Sequence, residues 1–224
     1  ATDGDMDKAV EFLREKGLAG AEKKAGRIAA EGIVDTAMTA DEKKAVIVEV
    51  NAETDFVAKN AKFQAYVAQV AAQALTTTAA DMDAFFEEKW ALDPQFTVKE
   101  ALSQQVAVIG ENLNIRRFEK YEKTQAGKLV SYIHGGGRIG VLVRFETENV
   151  PAEVLNECGK DVAMQIAALN PAYLDKSTVP AEALDKEKEI LMAQIQNDPK
   201  NSKKPQNIIE KMVTGRIGKF YENN

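Results

Sequence analysis

One cysteine and one histidine in 224 residues leave little room for several kinds of chemistry. Cys158 has no second cysteine with which to close an internal disulfide and no histidine or cysteine beside it. A Cys–His nucleophile or a thiolate metal cage is therefore unsupported. Its place on the apolar stripe of a helical stretch marks it as a buried thiol. Positive charge is also short: 29 Lys and Arg against 35 Asp and Glu give a net charge of −6, which works against broad binding to a phosphate backbone. Nucleic acid is not an expected direct partner. No apolar run approaches the roughly 18 residues of a membrane span, and the opening ATDGDMDK has neither the basic region nor the apolar core of a secretory leader. The expected setting is soluble and cytoplasmic. No GxxxxGK[ST] phosphate loop and no G-x-S-x-G elbow occurs.

What is present suits a folded chain: 45% hydrophobic residues over a length able to bury a real core. The organising stretch is residues 50–62, VNAETDFVAKNAK, where a hydrophobic strand turns into an alternating helix. Asp55 and Phe56 stand at that corner. On one reading Asp55 is a helix N-cap and Phe56 a core anchor. On the other the pair projects as a wedge, the ring entering a partner's apolar pocket and the carboxylate disturbing polar groups or a metal beside it.

Taken in order, residues 5–16 place Met6, Val10 and Leu13 at helical spacing, with Asp3 as a cap and Gly17 as a stop, and residues 18–26 read as a linker. β-Branched residues in 27–36 and 45–51 predict a hairpin with a polar loop at 39–44. Residues 57–75 follow as one helix with Phe63, Val67, Val70 and Ala74 on a face. Helices are expected at 83–90 and 98–109, the latter closed by Gly110, then a strand at 113–118. A second hairpin (129–134 and 139–145) leads to a helix at 152–169, striped by Leu155, Cys158, Val162, Ile166 and Leu169. Beyond Pro180, Ala181, Leu184, Lys188, Leu191 and Ile195 form a heptad-like stripe. The polar turn NDPKNSKKP joins it to a helix at 208–221, with Ile209, Val213 and Phe220 along one side.

The fold class is therefore α+β: two core subdomains, each a hairpin with helices on an antiparallel sheet, and a protruding antiparallel helical hairpin of coiled-coil character. The expected division is 1–26, a remnant helical module and linker; 27–123 and 124–178, the two core halves; and 179–224, the hairpin.

Some signals imitate catalysis. Gly135, Gly137 and Gly140 satisfy G-x-G-x-x-G, but VLVRFE continues at period two, so the glycines serve a hairpin turn and not a dinucleotide site. His134 is either a turn residue or a contact presented by a glycine loop, with Tyr132 on the same strand parity able to support its ring. Arg116 and Arg117 read as surface ion-pair formers, and Glu87 and Glu88 as a solvated helix face. No metal site, cofactor site or catalytic constellation emerges, and an enzyme is not expected. A non-catalytic assembly or chaperone-like scaffold, with Asp55 as cap and Phe56 as core, is the alternative.

Five stretches in order carry a resemblance: EVNAETDFVAKNAKF from Glu49, IGENLNIRR from Ile109, YIHGGGRIGVLV from Tyr132, DVAMQIAALNPAYL from Asp161 and IIEKMVTGRIGKFYEN from Ile208. Together they closely resemble bacterial elongation factor Ts. That family begins with two further helices and continues past the hairpin, so the resemblance implies a chain lacking its first helices and C-terminal tail. It also implies guanine-nucleotide exchange on the GTPase elongation factor Tu, with no covalent chemistry. The family's TDFV aspartate and phenylalanine, entering the partner near its magnesium site, match Asp55 and Phe56, flanked by Thr54 and Val57. The family's histidine near the phosphate-binding loop matches His134, followed by Gly135 and Gly136. The helical hairpin is implied to anchor elsewhere on the GTPase.

Overall fold

Alternating valines fix the centre of the molecule. A computed structural model describes residues 2–201 and 204–224, and its contacts separate two units, Ala1–Ala167 and Ala168–Asn224. In the first, strands β1 (Glu31–Met38), β2 (Lys44–Ala52) and β3 (Asn114–Glu122) pair antiparallel in the order β1-β2-β3. On β2, Val46, Val48, Val50 and Ala52 are at most 1% exposed, as period-two side chains on a covered face must be. The cover is helix α3 (Ala61–Thr76), which adds Phe63, Tyr66, Val67 and Val70 to the same cluster. Strand β3 runs past the expected 118 to Glu122, its charged residues lying along a sheet edge as edge strands commonly arrange.

The helix expected over 57–75 is in fact two. One turn, α2 (Asp55–Ala58), stops before Asn60, whose backbone is extended (φ −74°, ψ 127°) and whose side chain accepts from the Lys62 N–H to cap α3. Apolar periodicity continues across the break and hides it. A short polar side chain that satisfies the backbone locally still ends a helix.

The N-terminal helix α1 spans Met6–Glu22, capped by Asp5 and not Asp3, which has a positive φ. Gly17 does not stop it, and much of the expected linker is helical. The override is tertiary: α1 packs on α5 (Val98–Ile109), with an Arg14–Glu100 ion pair and Lys24 Nζ donating to the Val106 carbonyl at 3.4 Å. Helix α5 opens on a Thr97–Glu100 capping box and closes on left-handed Gly110. Helix α4 (Met82–Glu87) is shorter than expected. Glu87 is exposed, but Glu88 turns inward, accepting from Thr77 Oγ1 at 2.6 Å and Gln73 Nε2 at 3.3 Å.

Strands β4 (Gly127–His134) and β5 (Ile139–Glu146) form a two-stranded sheet, and α6 (Ala152–Leu169) lies against it through small residues. A Cβ on Gly159 would stand 2.7 Å from Val130 Cγ2, and Ala163 is fully buried. Cys158 is exposed, contrary to the expected buried thiol, and so is Leu169. Adjacent helical positions point about 100° apart, and the narrow sheet covers the Gly159–Ala163 line, leaving Cys158 to solvent.

The second unit contains α7 (Ala181–Asn197) and α8 (Gln206–Asn223). Leu191, Ile195, Ile209, Val213 and Ile217 make its core. Ile217, four residues after Val213, takes the place expected of Phe220, which is half-buried. Of the polar turn between the helices, Ser202 and Lys203 lie outside the described residues.

Phe63 is fully buried between sheet and helix. Phe63→Ala is expected to cost roughly 3–5 kcal/mol, read as a lower urea midpoint with the slope unchanged.

Candidate partner-binding site at the sheet corner

The end of β2 feeds directly into the corner, and polar bonds hold every step of it. Glu53 and Thr54 donate their backbone N–H groups to Glu111 Oε2, each at 3.1 Å, and the Thr54 hydroxyl donates to Glu111 Oε1 at 2.7 Å. The same hydroxyl accepts from the Val57 N–H at 3.3 Å, so Thr54 and not Asp55 is the N-cap of α2. In return Glu53 accepts from the Asn112 N–H and pairs with Arg27 at 3.6 Å.

Below the corner, Ala58 is buried and Val57 packs partly buried on the first core. Above it, Phe56 is 82% exposed. The reading of Phe56 as a core anchor is thereby overturned, and the scaffold alternative loses its premise. One turn of helix explains the contrast, since neighbouring side chains leave it in different directions. Asp55 stands beside the ring in the first turn, its carboxylate 2.7 Å from Lys59 Nζ. The Lys59 hydrogen bond and charge hold the Asp55 carboxyl below the ordinary carboxylate range, with a smaller contribution from Arg138.

The glycine loop lies at the same end of the sheet. Gly135, Gly136 and Gly137 all have positive φ (60°, 68° and 94°), and the Arg138 N–H closes the turn on the His134 carbonyl at 3.1 Å. His134 is exposed at its start, its Nδ1 joined to the Tyr132 hydroxyl by a 2.8 Å hydrogen bond. The loop is fastened to β1. Val34 N–H donates to the Gly137 carbonyl at 2.7 Å, and a Cβ on Gly137 would stand 2.7 Å from Ile33 Cβ. Because Glu31 of β1 is paired with Ala52 of β2, the anchored loop and the corner share one end of the sheet. Arg138, 3.8 Å from Glu31, carries its charge to Asp55 across that end. The structure thus brings Thr54, Asp55, Phe56 and Val57 to the same sheet end as His134, Gly135 and Gly136.

Elsewhere, Arg116 and Arg117 both pair with Glu49, at 3.2 and 2.7 Å. Partial burial works to raise the Glu49 pKa, but hydrogen bonds from Arg117 and Asn51 and the arginine charges outweigh it. Among the described residues no group of three or more His, Cys, Asp or Glu is placed to hold a metal ion, and no helix is long and apolar enough to cross a membrane.

Sequence reasoning passed over Glu111, Lys59 and Arg138. The Asp55–Lys59 spacing of four was a usable signal for an ion pair on a helix. Nothing local marks Glu111, which reaches the corner from 57 residues away.

Comparison with known proteins places these residues within a wider match. The sequence profile of the family described as Elongation factor TS matches residues 53–224. The chain is 53% identical over 223 residues to elongation factor Ts of Clostridium tetani (strain Massachusetts / E88), covering 100% of this chain and 71% of that protein. It is 52% identical over 219 residues to elongation factor Ts of Clostridium novyi (strain NT), covering 98% and 70%.

The Asp55–Lys59 pair has a measurable signature. Its folded-state pKa is depressed, so the pair is fully formed at neutral pH and is lost as pH falls through that folded value, below the ordinary aspartate range. An NMR titration of the Asp55 carboxyl is expected to show this low midpoint, and Lys59→Met to raise it towards the ordinary value; an unmoved midpoint assigns the shift to another cause.

Proposed function

The chain belongs to the elongation factor Ts family, and from that premise we propose that it promotes guanine-nucleotide exchange on elongation factor Tu by wedging Asp55 and Phe56 near the magnesium site of that GTPase. The observation that carries this reading is the exposure of Phe56, 82%, on a helical turn that Val57 and Ala58 pack onto the core. A phenyl ring left in water at a fixed corner stands to gain on the order of 2 kcal/mol on entering an apolar pocket. The hydrogen-bonded corner below it supplies the rigidity that a wedge needs.

Insertion brings the Asp55 carboxylate with it. That group is held ionised by Lys59, so it arrives as an anion beside the partner's Mg²⁺ shell. Disturbing that shell weakens the charge compensation of the nucleotide phosphates, and GDP leaves faster. Thr54 and Val57 frame the wedge. His134, oriented by Tyr132 and presented on Gly135 and Gly136, faces the partner's phosphate-binding loop and supports its empty form. The helical hairpin of α7 and α8 supplies a separate anchor.

Exchange of this kind breaks no covalent bond and calls for no cofactor of the protein's own, so the chain acts as a binding factor and not as an enzyme. The coupling is reciprocal: whatever free energy the factor takes from nucleotide binding, returning nucleotide takes from the factor. Its place of action is the cytoplasm, beside translation.

Release of labelled GDP from elongation factor Tu tests the reading. The unmodified chain is expected to accelerate release, and Phe56→Ala to lose at least about tenfold of that acceleration. Because the ring is exposed, the variant should melt within about 0.5 kcal/mol of the parent. Equal acceleration by both proteins assigns exchange to another surface.

A further inference from the structure

The corner has a mechanical problem. Strand β2 ends at Ala52 and α2 starts at Asp55, so Glu53 and Thr54 must aim a four-residue helix too short to be stable in isolation. Glu111 solves it. Its two carboxylate oxygens take three donors, and all three belong to those two residues: both backbone N–H groups on Oε2 and the Thr54 hydroxyl on Oε1. Hydrogen bonds to a charged acceptor are the stronger kind.

The clamp is closed from both sides. Glu53 takes the Asn112 N–H, Asn112 Nδ2 donates to the Arg27 carbonyl at 2.8 Å, and Arg27 pairs with Glu53. Glu111 follows Gly110, the left-handed stop of α5, so its base is the fixed end of a twelve-residue helix packed into the first core. The chain of contacts runs from α5 through Glu111 to the Thr54 hydroxyl, then to the Val57 N–H and the turn that displays Phe56.

We infer that Glu111 is a positioning residue for nucleotide exchange: it acts through Glu53 and Thr54, fixing the direction of Asp55 and Phe56 before the GTPase is met. This rests on the exchange reading of the preceding section. A corner that is already ordered spends none of the binding free energy on ordering itself, so that free energy is left to displace the nucleotide once the factor is seated. Without the carboxylate, the turn that carries the wedge samples other directions, and the maximal rate of GDP release falls.

The test compares the unmodified chain, Glu111→Ala, Phe56→Ala and the double variant in GDP release from elongation factor Tu, across factor concentrations and below the lowest melting temperature. Glu111→Ala is expected to lower the maximal release rate about tenfold, the scale of lost bonds to a charged acceptor, while shifting the half-saturating concentration by less than about threefold. In the Phe56→Ala background it should add less than about twofold, because the two residues act as one unit. Full activity in Glu111→Ala, or effects that multiply in the double variant, overturns the inference. An inactive unmodified chain overturns the exchange reading, and the inference with it. Should Glu111→Ala not fold, amide hydrogen exchange in the unmodified chain decides: the Glu53 and Thr54 amides must be protected at least about tenfold over an open loop, and unprotected amides overturn the clamp.

Discussion

The backbone contact between Val34 and Gly137 decides where everything else at this end of the molecule can be. An N–H···O bond of 2.7 Å draws the glycine turn onto β1, and no side chain fits between them: a Cβ on Gly137 meets Ile33, and one on Gly140 would stand 2.5 Å from Val34 Cγ1. The second hairpin therefore reaches the outer face of the first sheet only because two of its residues have no side chain. That close approach sets His134 beside the corner made by the end of β2. Antiparallel pairing does the rest, since the start of β1 and the end of β2 are one place.

Around this junction, stiffness and exposure are divided between neighbouring atoms. Val57 and Ala58 turn down into packed surface, Thr54 is held through its backbone and its hydroxyl, and Phe56 points away from all of it. An exposed ring contributes little to folding, so its neighbours carry the stability of the corner. The same division holds for charge. Asp55 and Lys59 are largely solvated and add little to the stability of the fold, yet their pairing keeps a carboxylate ionised beside the exposed ring.

Much of this was legible in the sequence, and the failures have physical causes. Strict alternation in β2 and β5, and the Gly110 stop of α5, were readable because period and cap chemistry are local. Gly17 reads as a stop in the sequence because the packing of α1 on α5, which outweighs glycine's helix cost, is not written near it. The break at Asn60 was missed because the apolar period continues through it. Cys158 reads as buried because a stripe on a helix says nothing of how wide the opposing sheet is, and it is exposed. At the corner, residue types alone left cap-and-core and wedge both open. The hydroxyl of Thr54 and a carboxylate far along the chain settled which of the four TDFV residues caps the turn, and neither could be weighed without the fold.

The placement of aromatic residues has a practical consequence for spectroscopy. The chain's one tryptophan, Trp90, is buried in the first core, its ring centroid 6.1 Å from that of Tyr66. The core of the α7–α8 unit is aliphatic except at its margin, where Tyr221 packs. Indole fluorescence therefore follows the sheet and its helices and is silent about the hairpin, whereas far-ultraviolet dichroism, dominated by helix, records both. Coincidence of the two signals through a denaturant series indicates one cooperative transition, and divergence indicates two. A melting temperature taken from fluorescence alone describes a single unit of this protein.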